Sequence, residues 1–564
     1  MKKSFILLTR CCTMLALCCM MLAVSCSKKI SEEDLSIYNP ITFTFFSSDG
    51  FSDCSFDDPV AKAITAKTGV TLEIHESHAS DSMAIPLMVA NGRYDDFIYA
   101  KGDLTKLIDA EAVIALDAWE SPDGTVINLI EKYGDNMKKL YGSELAKLKH
   151  SDGHIYSFGT YDVHNKILET SGSLQIQHAV LKEFGYPKIK TLNDYAELLR
   201  TYMKNHPTIN GQPTIGLSLL TEGSLWYVGL GNLANYVIGL PDNGQWIVDN
   251  TTYEAQYKFL NPDMAIFFRW LNELYHDGTL DPESFTQTEE MWKAKITSGR
   301  VLGIGYPSWG YSDVRLQLIA DGMPERTYAY LPVVADVQYR DPSLTDFGYA
   351  GGWGISISKN CKDVVRAFKF IDWMCSEEAQ VLVNWGIEGV NYVVKDGKRV
   401  VPPEELQRQK TDPDYSATTG VGKWVYPFPE YGNAAVDSNG DSIVRDTRPN
   451  IIDGYLPVEK ETLERYGVDM WIDLFPPSST LERPVYGQLW RYALPKETND
   501  LVLAADEYVK QMLIQCIISD PKEFDAKWNE MVATLKTMSM EEAGQTITDL
   551  IHQQLELWGI RSSK

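Results

Sequence analysis

From residue 41 onward the chain alternates strand and helix signals, and that rhythm confines it to folds in which a parallel sheet is covered by helices on both faces. The opening run Ile41-Thr42-Phe43-Thr44-Phe45-Phe46 is β-branched and aromatic, as a strand requires. Pro59 to Thr68 carries apolar residues at Val60, Ala63 and Ile64 and stops at Gly69, which predicts a short helix. Val70-Thr71-Leu72-Glu73-Ile74 alternates as a second strand, 83–90 predicts a helix, and Phe97-Ile98-Tyr99 a third strand. Ligands of such sheets sit beyond the carboxyl ends of the strands. The loop residues Ser47, Ser48 and Asp49, and Lys101 and Asp103 after Tyr99, are therefore candidate ligand contacts.

The first 26 residues predict export. Lys2, Lys3 and Arg10 give a positive start, residues 11–24 are almost wholly apolar, and the run closes on Ala23-Val24-Ser25-Cys26. The apolar stretch is shorter than the roughly 20 residues a bilayer core needs, which argues against an anchor helix. Its ending resembles the lipobox of bacterial lipoproteins, which makes residues 1–25 a signal peptide and Cys26 the lipidation site. Residues 26–39 are polar and charged and read as a flexible tether. Membrane attachment is thus expected through the lipid alone, on the periplasmic or the extracellular face.

Charge and cysteines narrow the class further. The net charge of −25 becomes −28 once residues 1–25, with three basic and no acidic residues, are removed. A surface that acidic repels phosphate backbones, so nucleic acid is not an expected partner. Cys54, Cys361, Cys375 and Cys516 are scattered singly beyond the leader, with no CxxC pair, and are expected to be buried thiols rather than metal ligands.

Six short motifs then fall in a consistent order. They are Asn91-Gly92-Arg93-Tyr94-Asp95-Asp96-Phe97-Ile98; Leu107 through Ala110-Glu111-Ala112-Val113 to Leu116-Asp117; and Asp152-Gly153-His154-Ile155-Tyr156. Next come Lys182 to Pro187 with Thr191-Leu192-Asn193-Asp194, then Gly299-Arg300-Val301-Leu302 to Trp309-Gly310, and Gly351-Gly352-Trp353-Gly354-Ile355-Ser356-Ile357-Ser358-Lys359. In this order over residues 40–390 the series resembles the bacterial extracellular solute-binding proteins, family 1, the maltodextrin-binding type that serves ABC importers. The length excess resembles the family's larger, LipO-like lipoprotein branch. The resemblance implies an α/β, two-lobed periplasmic-binding-protein fold (type II), with ligand held in a cleft by lobes that close about a hinge. It places residues 40–158 and 325–375 in the N-terminal lobe. Residues 159–324 and 376–564 are expected in the C-terminal lobe, with the segment after residue 400 bracing the lobes without touching ligand. It implies a monomer whose partners are a carbohydrate, expected to be an oligosaccharide, and the transmembrane subunits of an ABC permease.

Fourteen tryptophans and 30 tyrosines suit a sugar cleft, because an aromatic ring covers the C–H face of a pyranose while carboxylates and amides bond its hydroxyls. Sugar is favoured over peptide on that ground. Trp353 and Trp309 fall in the family's cleft-facing segments, Tyr306 in the loop that leads to Trp309, and Trp226 beside Glu222 in a glycine-containing loop. Trp226 fits the core nearly as well. Trp270, Trp373 and Trp385 lie on predicted helices among apolar residues and read as packing.

Asp437-Ser438-Asn439-Gly440-Asp441 places oxygen ligands at positions 1, 3 and 5 of an EF-hand-like loop, which makes Asp437, Asn439 and Asp441 a candidate Ca²⁺ site. Position 6 is Ser442 rather than glycine and position 12 is Arg448 rather than an acid, so a plain Asn-Gly turn accounts for the segment equally. No cofactor is otherwise required. His75-Glu76-Ser77-His78 is one residue short of HExxH, Gly305 to Gly310 is not GxSxG, and no phosphate-binding loop occurs. The expectation is a binding protein and not an enzyme. An exported glycoside hydrolase and a glycan-binding surface adhesin are the alternative classes.

Overall fold

The computed structural model describes residues 39–49, 54–77, 83–170, 172–492 and 494–560. The expected signal peptide and the expected lipidation site Cys26 lie outside them. No helix among the described residues is long and apolar enough to cross a membrane.

The first lobe is built on a five-stranded sheet in the order Val70–Glu76, Ile41–Ser47, Phe97–Tyr99, Gly354–Ile357, Phe158–Gly159. The first three are parallel, with Ile41 opposite Val70 and Phe45 opposite Phe97; Gly354–Ile357 runs antiparallel to both of its neighbours. Period two sends Phe43 and Phe45 into one core and Phe46 into another, so both faces of the sheet are packed, with Thr42 exposed and Thr44 half-buried on the Phe46 side. The helix Pro59–Thr68 forms because each end is specified. Asp58 accepts from Ala61 N at 2.8 Å, Pro59 fills the first helical position, and Gly69 closes it with left-handed backbone.

The second lobe holds a four-stranded sheet, Ile215–Leu217, Val301–Ile304, Gln175–Gln177, Tyr328–Tyr330. Its helix Leu192–Asn205 begins in a capping box between Thr191 and Asp194, the same Thr-x-x-Asp found in the sequence. Three long helices at the C-terminal end, Lys496–Ile518, Phe524–Thr537 and Met540–Leu557, pack into the same core.

The division of the chain between lobes differs from the expected one in two places. Tyr328–Tyr330 pairs with Gln175–Gln177, so the chain is still in the second lobe there and is back in the first by Tyr349. Residues 376–444 do not belong to the second lobe. Ala379, Val383, Trp424, Phe428 and Ile443 are buried in the first lobe's core. Trp424 Nε1 donates to Asp58 Oδ2 at 2.9 Å, and Lys423 Nζ lies 3.4 Å from the same oxygen. The cap of the first helix thereby fastens a segment more than 360 residues later. From Leu463 the chain is in the second lobe again. The backbone crosses between lobes three times, within 160–173, 331–353 and 445–462. Of the cysteines, Cys375 and Cys516 are buried thiols, whereas Cys54 and Cys361 are half-buried.

Trp424 is fully buried against Phe56 and Asp58. Trp424→Ala is expected to destabilise the protein by about 3–5 kcal/mol, read as a lower guanidinium midpoint.

Candidate functional site

All the strands of the first sheet except Val70–Glu76 deliver a side chain to one edge. Asp49 follows Ile41–Ser47, Lys101 follows Phe97–Tyr99, Tyr161 follows Phe158–Gly159, and Trp353 precedes the antiparallel Gly354–Ile357. Lys101 and Tyr161 hold left-handed backbone, with φ of 51° and 72°, which costs a non-glycine residue about 1 kcal/mol. Lys101 is ion-paired with Asp49 Oδ1, and Tyr426 donates to Asp49 Oδ2 at 2.5 Å. The Tyr426 and Tyr99 hydroxyls are themselves 2.5 Å apart. Burial and the neighbouring phenols push both of those hydroxyls far up, and burial raises Tyr161 to about 12, so all three act as neutral hydrogen-bonding groups.

The second lobe meets this edge through Trp490 and Arg491. Trp490 packs edge-on against Trp353 at 4.8 Å and against Tyr161 at 5.8 Å, while the Arg491 guanidinium sits 4.0 Å over the Tyr161 ring. Lys101 Nζ lies 5.1 Å over Trp353. The Trp353 indole is therefore enclosed by residues of both lobes and is not an open stacking face.

Three cavities run along this junction. One of about 350 Å³ is lined by Lys101, Trp353, Arg491 and Trp558. A second, about 560 Å³ and mostly polar, shares Arg491 and adds Tyr161, Asp162, Asp242 and Glu430. Its neighbour, about 520 Å³, shares Glu169 with it and is lined by Trp309, Tyr330, Arg445 and Trp471. Each of the two larger ones is within the size range of small-molecule sites, and together they offer room for a ligand of several sugar units.

Asp162 and Glu430 are half-buried and hydrogen-bonded to each other, and burial raises both carboxyls, Glu430 well above the usual range. Such a pair shares one proton. Direct contact is far closer than the roughly 5–9.5 Å at which glycosidase carboxyls flank a scissile bond. Glu169 and Asp446 open onto the cleft but lie deep between the lobes, and desolvation raises them too.

The residues anticipated from sequence divide sharply. Trp309 is 65% exposed and stands edge-on over Tyr306 at 5.4 Å, as a platform should. Tyr306 is buried against Trp292 and only supports it, which removes it from the contact set. Trp226 is a core residue stacked on Phe259. Ser47 is buried and accepts from Asp49 N at 3.3 Å, fixing the loop rather than facing the cleft. Asp103 pairs with Lys106 at 2.9 Å within one helical turn, and Glu222 accepts from Glu289 N at 2.7 Å at the start of Glu289–Thr297; neither lines any of the three cavities. Asp49, Lys101 and Trp353 do come together. Tyr161, Asp162, Glu430, Trp490 and Arg491 were not singled out from sequence.

The Asp437 loop is closed by an arginine. Arg399 Nη2 donates to Asp437 Oδ2 at 2.7 Å and Arg399 N to Asp441 Oδ2 at 2.8 Å, while Asn439 N and Asp441 N donate to Asp437 Oδ1. The guanidinium supplies the positive charge there, so these residues do not fit a Ca²⁺ site as expected. Among the described residues no group of three or more histidine, cysteine or acidic side chains could hold a metal ion.

Residues 55–381 match the bacterial extracellular solute-binding proteins, more than half of the chain. The chain belongs to that family. The solute-binding protein is 25% identical over 355 residues to lipoprotein LipO of Bacillus subtilis (strain 168), an alignment covering 60% of this chain and 65% of LipO. It thus spans slightly less than two-thirds of that relative. Solved structures of similar fold include the alginate-binding protein AlgQ2 without calcium ion, with a TM-score of 0.63, 16% identity, and coverage of 91% of this chain and 98% of that one. The S. pneumoniae ABC-transporter substrate-binding protein FusA in complex with kestose gives a TM-score of 0.64, 17% identity, and coverage of 91% and 99%. An HMO-binding solute-binding protein from Bifidobacterium longum infantis ATCC 15697 gives a TM-score of 0.61, 14% identity, and coverage of 91% and 99%. These likenesses carry the two-lobed fold.

The carboxyl pair predicts a pH dependence. The folded pair retains a proton that the unfolded chain releases above the ordinary glutamate value of 4.5. Its contribution to stability is therefore full below that pH and is lost as pH rises towards the raised folded value. Glu430→Gln keeps the hydrogen bond without ionising. Its stability, measured by denaturant unfolding across a pH series, should fall less than the parent's between about pH 4.5 and 7.

Proposed function

We propose that this solute-binding protein captures an oligosaccharide in the cleft between its lobes and delivers it to the membrane subunits of an ABC importer. The observation that carries this reading is the run of cavities between the lobes, neighbours through shared Arg491 and Glu169. It has an exposed tryptophan face at Trp309, and its walls carry a carboxyl pair that retains a proton and the neutral, buried Tyr161 phenol. A pyranose needs that pairing, a flat apolar surface for its C–H face and groups that both donate and accept for its hydroxyls. The named ligands of structural relatives agree: kestose for FusA, and Man5GlcNAc for the S. pneumoniae N-glycan transport protein NgtS, which matches with a TM-score of 0.50, 13% identity and coverage of 93% of this chain and 100% of that one. The protein acts as a monomer, needs no cofactor and leaves its ligand chemically unchanged. Lobe closure supplies the signal to the permease.

The direct test is calorimetric titration and thermal shift of residues 27–564 against a panel of oligosaccharides. A cognate sugar should stabilise the protein by about 2.7 kcal/mol at a hundredfold excess over Kd, and chromatography should recover it intact. Trp309→Ala should weaken binding about thirtyfold, or about 2 kcal/mol, with little change in melting temperature because the side chain is exposed. Release of shorter sugars by repeated, independent preparations would instead establish a hydrolase.

Attachment through lipid on Cys26 completes the reading, and the polar residues 27–39 would give the lobes reach from the membrane surface. In a bacterial host the full chain should partition into detergent, whereas Cys26→Ser should remain unprocessed or partition into the aqueous phase. Equal partitioning of the two would rule the anchor out.

A further inference from the structure

The cavity beneath Trp309 has an outer wall that lies beyond the family match. Residues 55–381 carry that match, yet Arg445, Asp446, Tyr455 and Trp471 line the cavity. Trp471 is only 5% exposed, its ring held by Tyr330 at 5.9 Å, His178 at 5.7 Å and Tyr455 at 6.4 Å, and its Nε1 has no hydrogen-bond partner. An indole N–H can only donate, so it requires an acceptor. On the crossing segment Thr170, 8% exposed, lines the same cavity with an Oγ1 that is likewise unpartnered. Two residues of different segments that line this cavity thus each keep a buried polar atom with its bonding unmet.

The charges around that space say what kind of molecule fits. Each of its three cations is engaged by protein. Arg315 pairs with Glu459 at 2.9 Å, Lys410 donates to Asp453 O at 2.8 Å, and Arg445 holds Gln409 and Tyr415. Three carboxyls, Glu169, Asp446 and Asp453, open onto the cavity with no ion-pair partner among the described residues. A carboxylate-bearing sugar would meet acids and no available cation. An uncharged one would find donors, acceptors and an aromatic face.

We propose that this cavity is a subsite for an uncharged pyranose unit, with Trp309 covering one ring face and Trp471 Nε1 and Thr170 Oγ1 bonded to the sugar's oxygens. The inference rests on the oligosaccharide-binding reading and deepens it. The segment after residue 400, expected from sequence only to brace the lobes, helps to select the ligand.

The test uses Trp471→Phe and Thr170→Val, which delete one polar atom each and keep the shape. Residues 27–564 and both variants are titrated with maltotetraose, cellotetraose, nystose, lacto-N-tetraose and tetragalacturonate. The parent should bind at least one neutral sugar and not tetragalacturonate. Each variant should lose about three- to tenfold in affinity for that sugar, with the ligand-free melting temperature unchanged. If the parent binds a neutral sugar and both variants match it, the subsite is refuted while oligosaccharide binding stands. If Trp471→Phe melts lower, Thr170→Val decides alone. Tighter binding of tetragalacturonate would overturn the assignment of an uncharged ligand, and binding of no sugar in the panel would overturn the subsite together with the reading beneath it.

Discussion

Burial of both faces of the first lobe's sheet is the constraint on which the rest of the architecture depends. Phe43 and Phe45 fill one side of the opening strand and Phe46 the other, and the one polar side chain in the strand's middle, Thr44, is bonded to Asp96. Polar chemistry is thereby pushed to the strand ends. Because Phe158–Gly159 runs parallel to the first three strands and Gly354–Ile357 against them, the carboxyl ends of three strands and the start of the fourth share one edge. Asp49, Lys101, Tyr161 and Trp353 meet there for that reason alone. The left-handed backbone at Lys101 and Tyr161 is what turns those two side chains across the edge rather than back along their strands.

The second consequence is that the lobes are joined through the site. Trp490 and Arg491 belong to a segment packed on the second lobe, yet they cover Trp353 and Tyr161 of the first. Any ligand entering between them must exchange aromatic contacts within the protein for contacts with itself. Lobe opening and ligand entry are then two descriptions of one rearrangement, as a hinge-closing binder requires. Three crossings hold the lobes in register, one more than a pair of strands would give, and the third carries Asp446 into the cleft.

Local and short-range signals were legible in the sequence. The alternation of Val70 to Ile74, the helix from Pro59 that stops at Gly69 and the Thr191-Leu192-Asn193-Asp194 motif all act within a few residues, and each stands in the structure as its chemistry demands. Asp49 and Lys101 could be found because strand ends are predictable, and Trp309 because a motif leads to it. What stayed hidden is whatever depends on distant pairing. Trp226 and Trp309 both follow glycine-containing loops, and only the neighbours, Phe259 for one and open solvent for the other, separate core from platform. Asp437, Asn439 and Asp441 have the spacing of cation ligands, but Arg399 reaches them from 38 residues upstream, and nothing local announces it. Likewise Glu430 meets Asp162 across 268 positions of chain because the strand Pro429–Glu430 pairs with Tyr161–Asp162.

That strand pairing also bears on how an acidic protein would hold the uncharged solute proposed for it. A net charge of −25 is spread mostly over solvated surface, where salt screens it and it keeps the chain soluble. Inside the cleft, the same residue types are placed where ionisation is penalised. A carboxyl that keeps its proton presents one donor and one acceptor, which is the pattern of a sugar hydroxyl, whereas a carboxylate only accepts. Parallel pairing of Pro429–Glu430 with Tyr161–Asp162 forces two acids together, and burial with their mutual repulsion keeps a proton on the pair even though the Arg491 guanidinium pulls both carboxyls down. The cleft's bonding character is therefore set by backbone register as much as by the identity of its side chains.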